Sequence, residues 1–108
     1  MVETRPVSRR LRYTPQAAAE LDQILSYIEE RSPQGARQVQ ARLKRIIDLL
    51  TEHPFAGQIT SLKPMRRIVV TPYPYLVFYE PDDDEIVIIG IRHAARAPED
   101  MPDRASDS

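Results

Sequence analysis

YLVFYEPDDDEIVIIGIRH, residues 75–93, decides the fold, because two apolar runs rich in β-branched and aromatic residues flank a turn of proline and acids. A third run of the same kind, MRRIVV at residues 65–70, precedes it across the proline turn TPYP. The pattern predicts a three-stranded antiparallel meander. Residues 76–78 are apolar without alternation. One sheet face is therefore expected to pack on helices, while the other is not fully solvated and suits a partner.

Two helices are predicted upstream of the meander. The pairs Thr14-Pro15 and Ser32-Pro33 each combine an N-cap residue with proline at the first helical position. Apolar residues at helical spacing follow the two pairs: Leu21, Ile24, Leu25 and Ile28, then Val39, Leu43, Ile46, Ile47 and Leu50. The joint between the helices is short, so they should form an antiparallel hairpin, and Pro54 should end the second helix.

A further strand is predicted near the N-terminus, where RRLRYT at residues 9–14 alternates arginines with Leu11 and Tyr13. The complete order is β-α-α-β-β-β, which predicts a two-layer α+β fold with an N-terminal strand, the helical hairpin and then the meander. We expect a single domain over residues 1–98 and a polar, disordered tail over residues 99–108.

The charge is distributed unevenly, although the formal net charge is only −1. Nine of the 16 acidic residues lie in residues 80–85 and 99–108, which leaves 14 Lys and Arg against 7 Asp and Glu elsewhere. Thirteen of the 15 basic residues are Arg, the side chain suited to bidentate contacts with carboxylate or phosphate. An acidic protein segment and a nucleic acid are both compatible partners for such a surface.

Several classes of protein are disfavoured by composition. The chain has no cysteine, and its two histidines are isolated, so we expect no disulfide, no metal site and no cofactor. No apolar run is long enough for a signal peptide or a membrane span, so we expect a cytoplasmic protein without membrane contact. Glycine-rich phosphate loops and serine–histidine nucleophile patterns are absent from the sequence as well.

The segment RHAAR, residues 92–96, is the main candidate site, because Arg92 and Arg96 flank His93 where the last strand ends. Three interpretations remain open: a catalytic acid–base group beside a phosphate grip, a contact for a charged partner, and an ordinary solvated strand end. Further arginines lie on the predicted strands: Arg10, Arg12, Arg66 and Arg67. They either form one basic sheet surface with the RHAAR arginines or are scattered solubility charges.

Aromatic residues of the predicted sheet offer a second candidate. Two interpretations are open for them: stacking on nucleic-acid bases, or packing within the sheet. These residues are Tyr73, Tyr75, Phe78 and Tyr79. No RNP-type pattern accompanies them, which favours packing.

In the order and spacing of its motifs, the chain resembles the RelE/ParE toxin superfamily of bacterial toxin–antitoxin modules over residues 9–98. The matching pieces are the TPxAxxxL helix start, the HPxxG loop, the YPYLVFYE strand and the terminal IxxIRHAAR. The resemblance implies a small toxin that blocks growth until a cognate antitoxin wraps an extended and helical segment across it. RelE-like members cut messenger RNA in the ribosomal A site, whereas ParE-like members poison DNA gyrase.

The resemblance also implies roles for single residues. Arg66 or Arg67 matches the strand arginine of the ribonuclease branch, and His93 lies near the position of its last-strand acid–base group. That branch has a lysine-rich loop and a tyrosine after the last strand, whereas this chain has only Lys63 in the loop and no tyrosine after His93. General acid–base catalysis contributes about two to four powers of ten, so the missing proton donor favours the ParE branch.

We therefore expect a ParE-like toxin that acts by binding gyrase, with RHAAR as a recognition element. The expected contacts to target or antitoxin are Arg10, Arg12, Arg66, Arg67, Tyr75, Arg92, His93 and Arg96. One alternative is a ribosome-dependent endoribonuclease with His93 as acid–base group and Arg67, aided by Arg66, as phosphate clamp. Another is an inactive module that only binds its antitoxin. A homodimer and a toxin–antitoxin hetero-oligomer are both compatible with the sequence.

Overall fold

Two helices and five strands make up residues 9–95, the part of the chain that the computed structural model describes. The elements are β1 (Arg10–Tyr13), α1 (Pro15–Arg31), α2 (Pro33–Glu52), β2 (Gln58–Ile59), β3 (Arg66–Val69), β4 (Tyr75–Pro81) and β5 (Glu85–His93). The predicted α+β class and its order are confirmed, with β2 added. Arg96 and the expected polar tail lie outside the described residues.

Side-chain caps start both helices, as the sequence predicts. The hydroxyl oxygen of Thr14 accepts a hydrogen bond from the Ala17 N–H at 3.1 Å, and that of Ser32 accepts one from the Gly35 N–H at 2.9 Å. Ser32 follows α1 and caps α2, so one residue joins the antiparallel helices. α2 ends at Glu52, in agreement with the predicted stop at Pro54.

The five strands form one sheet in the order β1-β5-β4-β3-β2. β3, β4 and β5 form the predicted antiparallel meander, and β1 pairs with β5 in parallel at one edge. β2 pairs with β3 at the other edge, between Pro54 and Met65, where the sequence predicts no strand. Its two residues are too few to show the period-two pattern that identifies a strand in a sequence.

Most of the core lies between the helices and one face of the sheet. α2 buries a continuous apolar stripe there, which consists of Ala36, Val39, Leu43, Ile46, Ile47 and Leu50. The sheet contributes Val77, Tyr79, Ile86, Ile88 and Ile91. α1 fully buries only Ala17, so its apolar side chains remain partly accessible.

The second face of the sheet is also partly apolar and largely covered. Phe78 has no exposed surface and Met65 is 8% exposed, and both pack with the partly buried Leu76 and Ile89. Val69, opposite Leu76, is the large apolar side chain that stays half exposed there. The apolar area left for a partner on this face is therefore smaller than the sequence indicates. Within residues 9–95, neither helix has the length and hydropathy needed to cross a membrane.

Candidate functional site

The RHAAR segment begins at the C-terminal end of β5, where His93 pairs with Tyr75 of β4. The two rings meet edge to face, with centroids 5.3 Å apart. The Ala95 N–H donates a hydrogen bond to Nδ1 of His93 at 3.0 Å. Because a backbone amide can only donate, Nδ1 is the acceptor, and the neutral imidazole carries its proton on Nε2. His93 is exposed. Because it lies directly opposite Tyr75 in the pairing of β4 with β5, its side chain is on the helix-facing side of the sheet.

Arg92 is held inside the molecule by α1. Its Nε lies 2.6 Å from Oε2 of Glu20, and the two side chains are only 10% and 14% exposed. Oε1 of the same carboxylate accepts the Ile91 N–H at 2.9 Å. β1 ends at Tyr13, so the last residues of β5 have no strand partner on that edge, and Glu20 takes the place of one. Arg92 therefore contacts Glu20 within the chain and is not exposed to a partner.

The two adjacent arginines of β3 face opposite sides of the sheet. Arg66 lies opposite Tyr79, whereas Arg67 lies opposite Phe78 on the second face. The Nη1 of Arg66 donates to the carbonyl oxygens of Gly57 at 2.7 Å and Phe55 at 3.2 Å. Its guanidinium carbon lies 4.9 Å from the centre of the Phe55 ring. Arg66 therefore holds the loop between α2 and β2.

Tyr79 holds the same loop from below, which explains the HPxxG motif. Its hydroxyl donates to the Pro54 carbonyl at 2.8 Å and accepts from the Gly57 N–H at 2.9 Å. A Cβ at Gly57 would lie 2.7 Å from both that hydroxyl and the carbonyl oxygen of Arg67, so only glycine fits. Burial raises the pKa of Tyr79, partly offset by the Gly57 hydrogen bond and by Arg66.

Arg10 and Arg12 lie at the opposite end of the sheet, beside the acidic turn. Arg10 pairs with Asp84 at 3.3 Å, and Arg12 makes two hydrogen bonds of 3.2 Å to Glu85. These bonds raise the pKa of Arg12 and lower the pKa of Glu85. The acids predicted to form a solvated turn thus neutralise the arginines of β1.

The structure does not assemble the strand arginines and His93 into one basic surface. At about 3.4 Å per residue and 4.8 Å between strands, the Cα atoms of His93 and of Arg66 or Arg67 lie roughly 14 to 17 Å apart. Arg12, opposite Val87 on β5, is about 20 Å from His93 by the same measure. Arg96 lies outside the described residues. The two partners assigned to the ribonuclease alternative, His93 and Arg67, also face opposite sides of the sheet.

A basic surface that the sequence reasoning missed lies on α2. We call it the α2 arginine face, and it consists of Arg37, Gln38, Ala41, Arg42, Arg45, Pro72 and Tyr73. Six of these residues, all except Arg37, line a groove of about 470 Å³ between the helix and the proline turn after β3. Nε of Arg42 donates to the Thr71 carbonyl at 2.6 Å and fixes the turn against the helix. Arginines spaced by three to eight residues in a predicted helix were the available signal.

Two further grooves are predominantly apolar. The first consists of two adjoining depressions of about 420 and 240 Å³ that share Tyr13 and Leu21 and lie between β1, α1 and α2. Their other apolar lining residues are Leu11, Ala18, Leu25, Leu43 and Ile47. The second, of about 230 Å³, is lined by Phe55, Ile59, Lys63, Pro64, Arg66 and Pro81. Among residues 9–95, no group of three or more His, Cys, Asp and Glu is placed to hold a metal ion.

Comparison with known proteins identifies relatives of the whole fold. The family described as ParE toxin of type II toxin–antitoxin system, parDE, matches residues 11–98. The chain is 39% identical to toxin RelE2 of Caulobacter vibrioides over 84 residues, which cover 78% of this chain and 93% of the relative. It is 35% identical to the candidate toxin Y4kP of Sinorhizobium fredii over 86 residues, which cover 80% of this chain and 88% of the relative. The fold is similar to a chain of the chromosomal ParDE toxin–antitoxin system from P. aeruginosa, with a TM-score of 0.70, 21% identity, and coverage of 80% and 96%.

Proposed function

Because the chain belongs to the ParE toxin family of type II toxin–antitoxin systems, we propose that it inhibits growth by binding DNA gyrase and that a cognate antitoxin neutralises it. The observation that carries the choice of a binding mechanism is the separation of the candidate catalytic groups. Cleavage of RNA without a metal needs a base, an acid and cations around one phosphate. His93 contacts Tyr75 and Ala95, Arg66 donates to two loop carbonyls, and Arg67 faces the other side of the sheet. The Cα atoms of both arginines lie roughly 14 to 17 Å from that of His93.

The proposed antitoxin surface is the first apolar groove. Leu11 is 40% exposed there, and Tyr13 and Leu21 are only partly buried, so apolar side chains of a partner helix or strand have a place to pack. Arg10 and Arg12 alternate with Leu11 and Tyr13 along β1 and are 77% and 57% exposed, so an acidic antitoxin segment that crosses β1 would compete for them with Asp84 and Glu85. The antitoxin segment should therefore be apolar at alternate or helical positions and acidic between them. Steep weakening of the complex with added salt supports the acidic part, and a salt-independent affinity argues against it.

The second apolar groove is the proposed contact for the target. Phe55 and Ile59 are 63% and 54% exposed, which is unusual for large apolar residues at neighbouring positions. The guanidinium of Arg66 lies over the Phe55 ring, and the Tyr79 hydroxyl is hydrogen-bonded to the same loop. These contacts fix the position of the exposed ring. The variant Phe55→Ser/Ile59→Ser should lose toxicity while retaining antitoxin affinity. Equal loss of both would place the antitoxin on this groove as well and contradict the assignment.

Induction of the chain without antitoxin tests the function as a whole. Messenger RNA integrity and gyrase-linked DNA breaks are followed in the same cells, with His93→Ala and an empty vector as controls. Broken DNA with intact messages, for both the wild type and His93→Ala, is the expected result. Codon-positioned message cleavage that His93→Ala abolishes would establish the ribosome-dependent endoribonuclease instead. Continued growth on induction would indicate an inactive module.

Two observations favour the endoribonuclease alternative. The His93 side chain is exposed, and one similar protein, 39% identical, is named toxin RelE2. In that case Arg67 would have to reach a phosphate beside His93 from the other face of the sheet, and Arg66 would have to leave its loop carbonyls, so a rearrangement on the ribosome is required. Sedimentation of the chain at several concentrations, alone and with antitoxin, distinguishes a homodimer from a toxin–antitoxin hetero-oligomer.

A further inference from the structure

The α2 arginine face differs from the two apolar grooves in the chemistry of its lining. Among the described residues that line its groove, only Ala41 and Pro72 are wholly apolar, and the others are Gln38, Arg42, Arg45 and Tyr73. The two apolar grooves suit the apolar side chains of a protein partner. Contacts to a sugar–phosphate backbone come instead from arginine, glutamine and tyrosine side chains of this kind.

The arginines of this face have donors available for a ligand. Within residues 9–95, Arg37 and Arg45 are exposed and take part in no hydrogen bond or ion pair. Arg42 uses Nε for the Thr71 carbonyl, which fixes the direction of its guanidinium and leaves the terminal nitrogens. Asp48 follows on the same helix, but Lys44 neutralises it at 3.0 Å. The groove itself has no acidic residue among the described residues that line it.

The spacing of the arginines fits a phosphate chain. Arg37 and Arg45 are separated by roughly 12 Å along the helix axis, at 1.5 Å per residue. One strand of B-form DNA carries a phosphate every 3.4 Å or so of its axis, so the face spans about three or four phosphates. Tyr73, half-buried at the rim of the groove, presents an aromatic ring beside them.

The face also adjoins the RHAAR end of the molecule. The Ala94 N–H donates to the Pro74 carbonyl at 2.8 Å, and Pro74 belongs to the same proline turn that Arg42 binds. A strand of nucleic acid lying across α2 would therefore continue past Tyr73 towards the exposed His93. This gives the exposed histidine a role in binding without requiring a catalytic one.

We propose that the α2 arginine face binds the phosphodiester backbone of a nucleic acid. The inference goes beyond gyrase inhibition, and it holds whether the protein target is gyrase or the ribosome, since both carry nucleic acid. It predicts binding by the purified full-length chain alone. The test therefore fails or succeeds separately from the induction experiment.

The experiment measures fluorescence anisotropy of two labelled probes, a duplex DNA of about 20 base pairs and a single-stranded RNA of similar length, between about 50 and 200 mM salt. The test variant is Arg37→Gln/Arg45→Gln, because neither side chain has a hydrogen-bond or ion-pair partner among residues 9–95 whose loss would disturb the fold. The matched control is Arg10→Gln/Arg12→Gln, which removes the same charge from the other end of the sheet. Thermal unfolding of both variants verifies that they are folded.

The wild type should bind at least one probe with an affinity that falls steeply with salt, and the probe that binds more tightly identifies the source of the backbone. The test variant should weaken binding about tenfold or more and reduce the slope of log K against log salt by about 2, or about 0.9 per lost phosphate contact. The control should retain the affinity. Equal affinity of the wild type and the test variant would overturn the proposal. So would binding of polyglutamate as tight as that of either nucleic acid, which would assign the face to an acidic protein.

Discussion

The arginines of the sheet and those of α2 differ in what they contact. The sheet arginines have partners within the chain: Arg10 with Asp84, Arg12 with Glu85, Arg66 with two loop carbonyls and Arg92 with Glu20. Arg37 and Arg45 on α2 have none among residues 9–95. Charge that is visible in a sequence is therefore not the same as charge that is available to a partner. Arg92, which lies next to His93 in RHAAR, is the only buried arginine of residues 9–95.

The sheet arginines also differ among themselves in what their ion pairs contribute to stability. The Glu20–Arg92 pair is nearly buried, so neither charge can return to water without opening the packing of α1 on β5. The Arg10–Asp84 pair is 77% exposed on both sides, where water and salt screen the attraction. Three substitutions, two at ion pairs and one at a buried hydroxyl, test how burial sets the contribution of a polar contact, from the largest expected effect to the smallest.

Replacing Glu20 by alanine should have the largest effect. It leaves the charge of Arg92 buried without its carboxylate and the Ile91 N–H without an acceptor, a loss of about 3 to 5 kcal/mol in the free energy of unfolding. Urea denaturation followed by circular dichroism measures it. The double variant Glu20→Ala/Arg92→Met, which removes both charges, should recover a large part of the loss. A cost below about 1 kcal/mol for Glu20→Ala would mean that the pair is not structural.

Replacing Tyr79 by phenylalanine should have an intermediate effect, since it removes a buried hydroxyl and leaves the Gly57 N–H unpaired. The expected cost is about 1 to 3 kcal/mol. Because burial raises the pKa of Tyr79 above its ordinary value of 10.0, its contribution is complete below that pH and is lost as pH rises through the higher folded-state pKa. The free energy of unfolding should therefore decrease less between neutral and alkaline pH for the variant than for the wild type. An unchanged alkaline slope would argue against a buried, neutral Tyr79.

Replacing Arg12 by glutamine should have the smallest effect at neutral pH, because Arg12 is 57% exposed and its partner Glu85 is only partly buried. The sign of its pH dependence is still defined. The bond to Arg12 lowers the pKa of Glu85, so its contribution is present above the ordinary value of 4.5 and is lost as pH falls through the lower folded-state pKa. As the pH falls below 4.5, the free energy of unfolding should decrease less steeply for the variant than for the wild type. A large destabilisation at neutral pH and high salt would place this pair in the same class as Glu20–Arg92.

Local signals in the sequence predict much of the fold. Thr14-Pro15 and Ser32-Pro33 mark the helix starts, and the apolar runs around the acidic turn mark the meander, because caps, turns and periodicity act over a few residues. The partner of β5 at its open edge could not be predicted in this way. Glu20 bonds the Ile91 N–H from 71 positions away, and only the packing of α1 beside the end of β1 brings them together.

The candidate site was predictable only as a set of residue types. His93 is exposed at the strand end, as one interpretation of RHAAR requires, but the partners that decide its chemistry are set by strand order and register. The same register separates it from Arg66 and Arg67 and commits Arg92 to Glu20. The spacing of Arg37, Arg42 and Arg45 in a predicted helix indicated the α2 arginine face. The position of Tyr73 beside it could not be predicted, because it depends on the turn that Arg42 binds.

The most direct test of the central claim, that this toxin acts by binding rather than by its own catalysis, is titration of the purified chain against purified gyrase and DNA with gyrase-linked breaks as the readout. The account predicts that breaks accumulate in proportion to the chain added and saturate at a fixed ratio of chain to gyrase, and that His93→Ala behaves like the wild type. Absence of breaks at any ratio, together with multiple-turnover cleavage of messages on purified ribosomes that His93→Ala abolishes, would contradict it.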